Sequence, residues 1–233
     1  MNGAFWKGFR HGIPIALGYL SVSFAFGMQA VAAGLSWPQA VLISATNLTS
    51  AGQLAALPLI AGGASLGEMA LTQLTINLRY ALMSLSLGRK LDASMGTLQR
   101  MIFSFANTDE IFAVASSQPG KVGKNYLYGL IVPPWIGWTL GTLLGAVAGT
   151  LLPAFVRSAL GIAIYGMFLA IILPPARKHK PLRFVVGLAV ALSLCFRYVP
   201  GLNRVSSGFV IIICAVIAAG AGALLFPVEE EKP

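Results

Sequence analysis

Long apolar stretches separated by short polar turns run through the whole chain. A helix needs roughly 20 predominantly apolar residues to cross about 30 Å of hydrocarbon. By that measure the candidate spans are 13–34, 38–61, 67–88, 98–118, 127–151, 155–175, 182–197 and 206–226. The windows 127–151 and 206–226 are long and free of charge, and 182–197 is short. The window 38–61 is interrupted by Asn47, Thr49, Ser50, Gly52 and Gln53, then by Pro58. The pattern predicts an all-α, polytopic transmembrane helical bundle of about seven helices (six to eight), with room for a broken or re-entrant one. No stretch is left over for a soluble domain, so residues 1–233 read as a single transmembrane domain.

Composition sharpens this reading. Of 233 residues, 57% are hydrophobic and only 10% charged, where soluble domains carry about 25%. The net charge of +9 does not point to nucleic acid. The basic residues sit in the gaps between apolar runs: Lys7 and Arg10, Arg89 and Lys90, Lys121 and Lys124, and the segment Arg177–Arg183. Cytoplasmic loops of membrane proteins carry their Lys and Arg in this way, and no aromatic-basic interleaving of the RNA-binding kind is present. If Arg177–Arg183 is cytoplasmic, Lys121, Lys124 and the C-terminal tail are inside too. The Arg89–Arg100 turn joins that side only if one of the first three windows fails to cross. The start of the chain imitates a signal peptide, with Ala30-Val31-Ala32 as a cleavage-like site, but its apolar run is long and a retained first helix is expected.

Ionisable groups within spans are costly and usually face a cavity or a partner. Arg79, Asp109 and Glu110 stand out. Arg79 lies nine positions before Gly88 and Asp109 eleven after Leu98, which at 1.5 Å per residue gives depths of about 14 and about 17 Å. In an antiparallel hairpin the guanidinium and one carboxylate would meet. Adjacent Asp109 and Glu110 point about 100° apart, so the other acid faces a different neighbour. A purely structural ion pair is the alternative. Asn107, Thr108 and Asp109 are also good N-cap residues, so the fourth window can break and present a helix N-terminus to an anion inside the membrane. The run Asn47–Gln53 is either an unwound segment lining a cavity or a set of hydrogen-bonding contacts between helices.

Gly137, Gly141, Gly145 and Gly149 recur every fourth residue and form a slanted ridge bare of side chains. Such a ridge packs another helix of the bundle or docks a second subunit. Gly18-Tyr19 and Gly137-Trp138 are a faint echo between the two halves, as duplicated transporters show. Cys195 and Cys214 lie in apolar runs and read as small fillers. His11 and His179 lie in basic segments, and no Ser–His pair, zinc motif or phosphate loop is present. The chain is therefore expected to be no enzyme and to hold no metal or cofactor.

Four stretches resemble the AzlC family, the large subunits of two-component branched-chain amino acid exporters. They are Gly12–Tyr19 with Phe26-Gly27, Ser50–Ala55 around Gln53, Asn77-Leu78-Arg79-Tyr80-Ala81-Leu82-Met83-Ser84, and Thr108-Asp109-Glu110-Ile111-Phe112-Ala113. Ser21 and Ser23 depart from the family's usual proline and glycine. The resemblance implies an exporter of branched-chain or similar hydrophobic amino acids in a bacterial inner membrane. It also implies a separately encoded small membrane subunit of the AzlD type as partner. Asn47, Ser50, Gln53, Asn77, Arg79, Thr108, Asp109 and Glu110 are the candidate substrate-binding or proton-coupling residues. A non-transporting membrane scaffold held together by its charged trio is the competing expectation.

Overall fold

The computed structural model of the chain describes residues 2–93 and 95–227. Its helices in chain order are α1 (Asn2–Ala32), α2 (Trp37–Thr46), α3 (Ser50–Ala61), α4 (Leu66–Gly88), α5 (Thr97–Phe105), α6 (Asp109–Ser116), α7 (Lys124–Ala148), α8 (Ala154–Lys178), α9 (Lys180–Tyr198) and α10 (Ser207–Leu225). There is no strand among the described residues beyond an isolated bridge between Leu91 and Val122. Segments Gly3–Ala32, Lys124–Ala148, Lys180–Tyr198 and Ser207–Leu225 are long and apolar enough to cross a membrane. The eight apolar windows are all helical. Two of them are split, 38–61 into α2 and α3 and 98–118 into α5 and α6.

The chain forms two compact units, Met1–Leu57 with Ile76–Gly161, and Pro58–Thr75 with Ile162–Pro233. The spine of the first is the pair α1 and α7. A Cβ added at Gly137 would lie 2.6 Å from the Ala16 carbonyl, and one at Gly141 2.9 Å from the Leu20 Cα. Gly129 faces Phe5, Gly145 faces Phe24 and Gly149 faces Met28, while Gly8, Gly12 and Gly27 of α1 face α7 in return. Partner numbers rise together on both helices, so the two run parallel. The glycine ridge is therefore an internal packing surface covered by α1, and the docking face for another subunit that the spacing also allowed is not there.

Parallel packing puts Lys7 and Arg10 at the same end as Lys121 and Lys124. Arg89 and Lys90 join them, because Lys121 donates to the Arg89 carbonyl at 2.6 Å and Lys90 to the Ser116 carbonyl. Asp92 N–H donates to the Val122 carbonyl at 2.9 Å. Thus α4 ends where α1 and α7 begin, and this basic end also receives the return of α6.

The split window 38–61 explains how α4 reaches that end. Helix α2 starts beside the far ends of α1 and α7, where Ala40 shares a cluster with Phe26, Ala30 and Ala146. It then runs back along α7, with Ser44 Oγ 2.7 Å from Thr142 Oγ1 and the Trp135 indole donating to the Ala45 carbonyl at 2.9 Å. After the break at 47–49, α3 turns back, Gln53 lying level with Trp138 and Leu57 rejoining the cluster of Ala40. Ten residues in α2 extend about 15 Å, half the hydrocarbon. The window is a re-entrant hairpin, not a crossing. The window 98–118 is a second hairpin, entering from the basic end: Asn107 Nδ2 at its tip donates to Ser84 Oγ at 3.0 Å, and α6 comes back to Lys90. Two half-depth hairpins thus reach in from opposite ends.

In the second unit α9 and α10 pack together, Gly222 fitting against Val185 and the Phe184 and Phe226 rings lying 5.7 Å apart. The buried Glu68 carboxylate accepts from Ser206 Oγ and from the Gly208 N–H at 3.2 Å, which caps α10 at its positive end.

Candidate functional site

Both hairpin tips are irregular for local reasons. At the first, Asn47 closes α2 with extended backbone. Thr49 then caps α3, its hydroxyl accepting the Gly52 N–H at 3.3 Å and donating to Asn77 Oδ1 at 2.8 Å. At the second, α5 ends at Phe105 and Thr108 caps α6, its hydroxyl accepting the Ile111 N–H at 3.5 Å. The break foreseen at Asn107-Thr108-Asp109 is therefore present, with a capped helix N-terminus inside the unit.

Charge is organised around that cap. Arg79 Nη1 lies 2.6 Å from Asp109 Oδ2, so the depth matching read from helical rise is met. Glu110 turns away to another partner. The Tyr19 hydroxyl lies 2.6 Å from both Glu110 Oε2 and Thr108 Oγ1. Its single proton serves the carboxylate, which leaves its lone pairs to the threonine O–H. One cation and two carboxylates leave one net negative charge in the trio. Arg79 also stacks on the Tyr80 ring, 4.9 Å from its centroid.

The two tips are joined through α1 and α7. The Tyr19 and Trp138 rings meet edge-on at 5.2 Å, since parallel helices bring Gly18-Tyr19 and Gly137-Trp138 to one level. Trp138 Nε1 donates to Gln53 Oε1 at 2.8 Å, and Gln53 Nε2 donates to Ser44 Oγ at 2.9 Å. Gln53 is 1% exposed, and both ends of its amide are engaged. It holds α3 against α2 and α7.

The remaining candidates lie at the tips. Ser50 opens α3 and is half-buried, as are Asn47 and Asn77. Arg79 and Asp109 are 46% and 47% exposed, and Glu110 is exposed as well. The first turn of α6 already carries Asp109 and Glu110, so an anion arriving there would meet two carboxylates. The N-terminus of α3 has no acid in its first turn and is the better end for a negative group. Tyr19, Ser44, Ser84, Trp138 and Thr142 were missed as site-forming residues. Only the Gly-Tyr and Gly-Trp echo could have singled out two of them.

The AzlC protein family matches residues 14–152, a range holding both hairpins and every candidate residue. The inner membrane protein YgaZ of Escherichia coli K12 is 28% identical over 199 residues, 82% of this chain and 81% of that protein. An uncharacterized membrane protein of Archaeoglobus fulgidus is 32% identical over 226 residues, covering 96% of this chain and 94% of its own length. One from Helicobacter pylori strain 26695 is 31% identical over 151 residues, 63% and 65% of the two chains. No solved structure matches. The chain belongs to the AzlC family of membrane proteins.

Proposed function

We propose that the protein is a secondary exporter of branched-chain or similar hydrophobic amino acids, acting as the large subunit beside a small membrane subunit of the AzlD type. The observation that carries this reading is the meeting of two half-depth hairpin tips with an ionised cluster. Irregular backbone at membrane depth is tolerated where it lines a cavity, and broken helices supply substrate sites in many transporters. A zwitterion needs complementary groups at both ends. The acid-free N-terminus of α3, with Ser50 and Asn77 beside it, suits a carboxylate. The net negative charge of Arg79, Asp109 and Glu110 suits an ammonium, or a proton when the site is empty.

Three charged side chains left open at mid-depth would be costly against lipid. Their exposure favours a water-filled passage or a covering subunit over a scaffold role in which the trio only joins helices. The basic end then faces the cytoplasm by the charge rule, and the Escherichia coli relative's name supports an inner-membrane location.

Efflux of preloaded leucine or valine from vesicles holding the purified protein, with and without the small subunit, tests the proposal. Directed efflux that depends on this chain supports it. Absence of movement for every small apolar amino acid, with both subunits present, sinks it.

A further inference from the structure

Outside the cluster just described, α4 and α5 line a half-open cavity of ≈ 80 Å³ between the basic end and the second hairpin tip. The two helices run antiparallel, and each contributes one face to it. Ser84, Leu87 and Gly88 come from α4, and Arg100 and Phe103 from α5, with Asn107 at the tip. Arg100 lies in the first turn of α5, and Asn107 follows the end of that helix at Phe105. Ser84 and Asn107 bond to each other at the deep end, and Arg100, whose Nε donates to the Met95 carbonyl at 3.1 Å, stands near the basic end.

The lining is incomplete in one respect. Asn107 is 3% exposed, and its Oδ1 is buried with no hydrogen-bond partner among the described residues while its Nδ2 holds Ser84. Turning the amide over changes which arm is bonded and still leaves one arm without a partner. A buried acceptor left unbonded is unfavourable, so a donor that reaches it gains a bond the empty site lacks. Leu87, Leu91 and Phe103 line the cavity beside Ser84 and Ser104, and Arg100 lies toward the basic end. Gly88 lines it without a side chain, and a Cβ there would meet nothing within 4 Å among the described residues.

We infer that this cavity is the loading site on the basic side, taking a small apolar zwitterion with its ammonium toward Asn107 and Ser84 and its carboxylate toward Arg100. The inference rests on the export reading above and adds where substrate is first held. An ammonium leading in this way arrives next to Asp109, two residues beyond Asn107, where the negative charge waits. The apolar walls of Leu87 and Phe103 receive the side chain, which excludes acidic and basic amino acids from the same position.

The test is leucine transport by the reconstituted full chain with its small subunit, measured as KM from each face of the vesicle. Gly88→Leu puts a bulky side chain on a glycine that lines the cavity, and Asn107→Leu removes the acceptor. Each should raise KM on the basic face tenfold or more. KM on the opposite face should move less than twofold, and the protein should keep its elution profile in detergent. Arg100→Gln should raise KM for leucine on the basic face and leave that for leucinamide unchanged. Wild-type KM from both faces in Gly88→Leu and Asn107→Leu would overturn the loading site while leaving export intact. A wild-type protein that carries no leucine removes the export reading and this inference with it.

Discussion

The α1–α7 seam makes a quantitative claim about single methyl groups. In Gly137→Ala the new Cβ would lie 2.6 Å from the Ala16 carbonyl oxygen and 3.0 Å from its Cα. Ordinary contact needs about 3.4 Å or more, so the helices must part by somewhat under 1 Å, and a gap of that size forfeits a quarter to a half of the local dispersion energy. Overpacking of this kind costs about 1–3 kcal/mol. Replacing a helical glycine by alanine gives back about 0.5–1 kcal/mol, so a net loss centred near about 1 kcal/mol, and at most about 2.5, is expected. At about 2–4 °C per kcal/mol for a chain of this size, the midpoint should fall by roughly 2–5 °C. Gly18→Ala is the control on the partner helix, because a Cβ there meets nothing within 4 Å. It should be neutral or slightly stabilising. Thermal unfolding in detergent, followed by tryptophan fluorescence, compares the two. Equal midpoints for Gly137→Ala and Gly18→Ala would refute close backbone packing along the ridge.

The ion pair and the tyrosine bridge make separable predictions. Arg79→Gln leaves Asp109 unpaired and should destabilise by up to about 2.5–3.5 kcal/mol, less to the extent that the half-open site is wet. Adding Asp109→Asn should recover part of that loss in the same unfolding assay, and an additive double variant would contradict a coupled pair. Glu110→Gln should keep folding and protein level but make efflux insensitive to an imposed pH gradient. An unchanged gradient response would take Glu110 out of coupling. Tyr19→Phe removes the hydroxyl shared by Thr108 and Glu110 and should slow efflux at least tenfold with near-normal stability; wild-type efflux would show that the bridge is only structural.

Different features of the sequence carried these parts unequally. Arg79 and Asp109 were legible as a pair because charges in apolar windows are conspicuous and helical rise converts position into depth. Thr108 as a cap was legible from its own chemistry. Tyr19 was not, since a tyrosine in an apolar helix looks like any other packing residue until the facing helix is known. Spacing fixes which face Gly137, Gly141 and Gly145 share, but not that α1 covers it. Hydropathy cannot separate a crossing from a hairpin, because α2 with α3 has the apolar length of a full span. The discriminating signal was charge: Arg89 and Lys90 reach the end of Lys7 and Arg10 only if one of the first three windows turns back, and charge alone does not say which. Gln53 was legible as unusual, yet its use in holding Ser44 and Trp138 depended on a long-range approach of α7.

The central claim is that the hairpin tips line an aqueous path for an amino acid at mid-depth. Ser50→Cys, made in a background with Cys195→Ser and Cys214→Ser, places one thiol at the tip where α3 begins. A membrane-impermeant maleimide should modify it in intact vesicles, and leucine should slow the reaction severalfold while lysine does not. A thiol that only a lipid-soluble reagent reaches, at a rate leucine leaves unchanged, would contradict it.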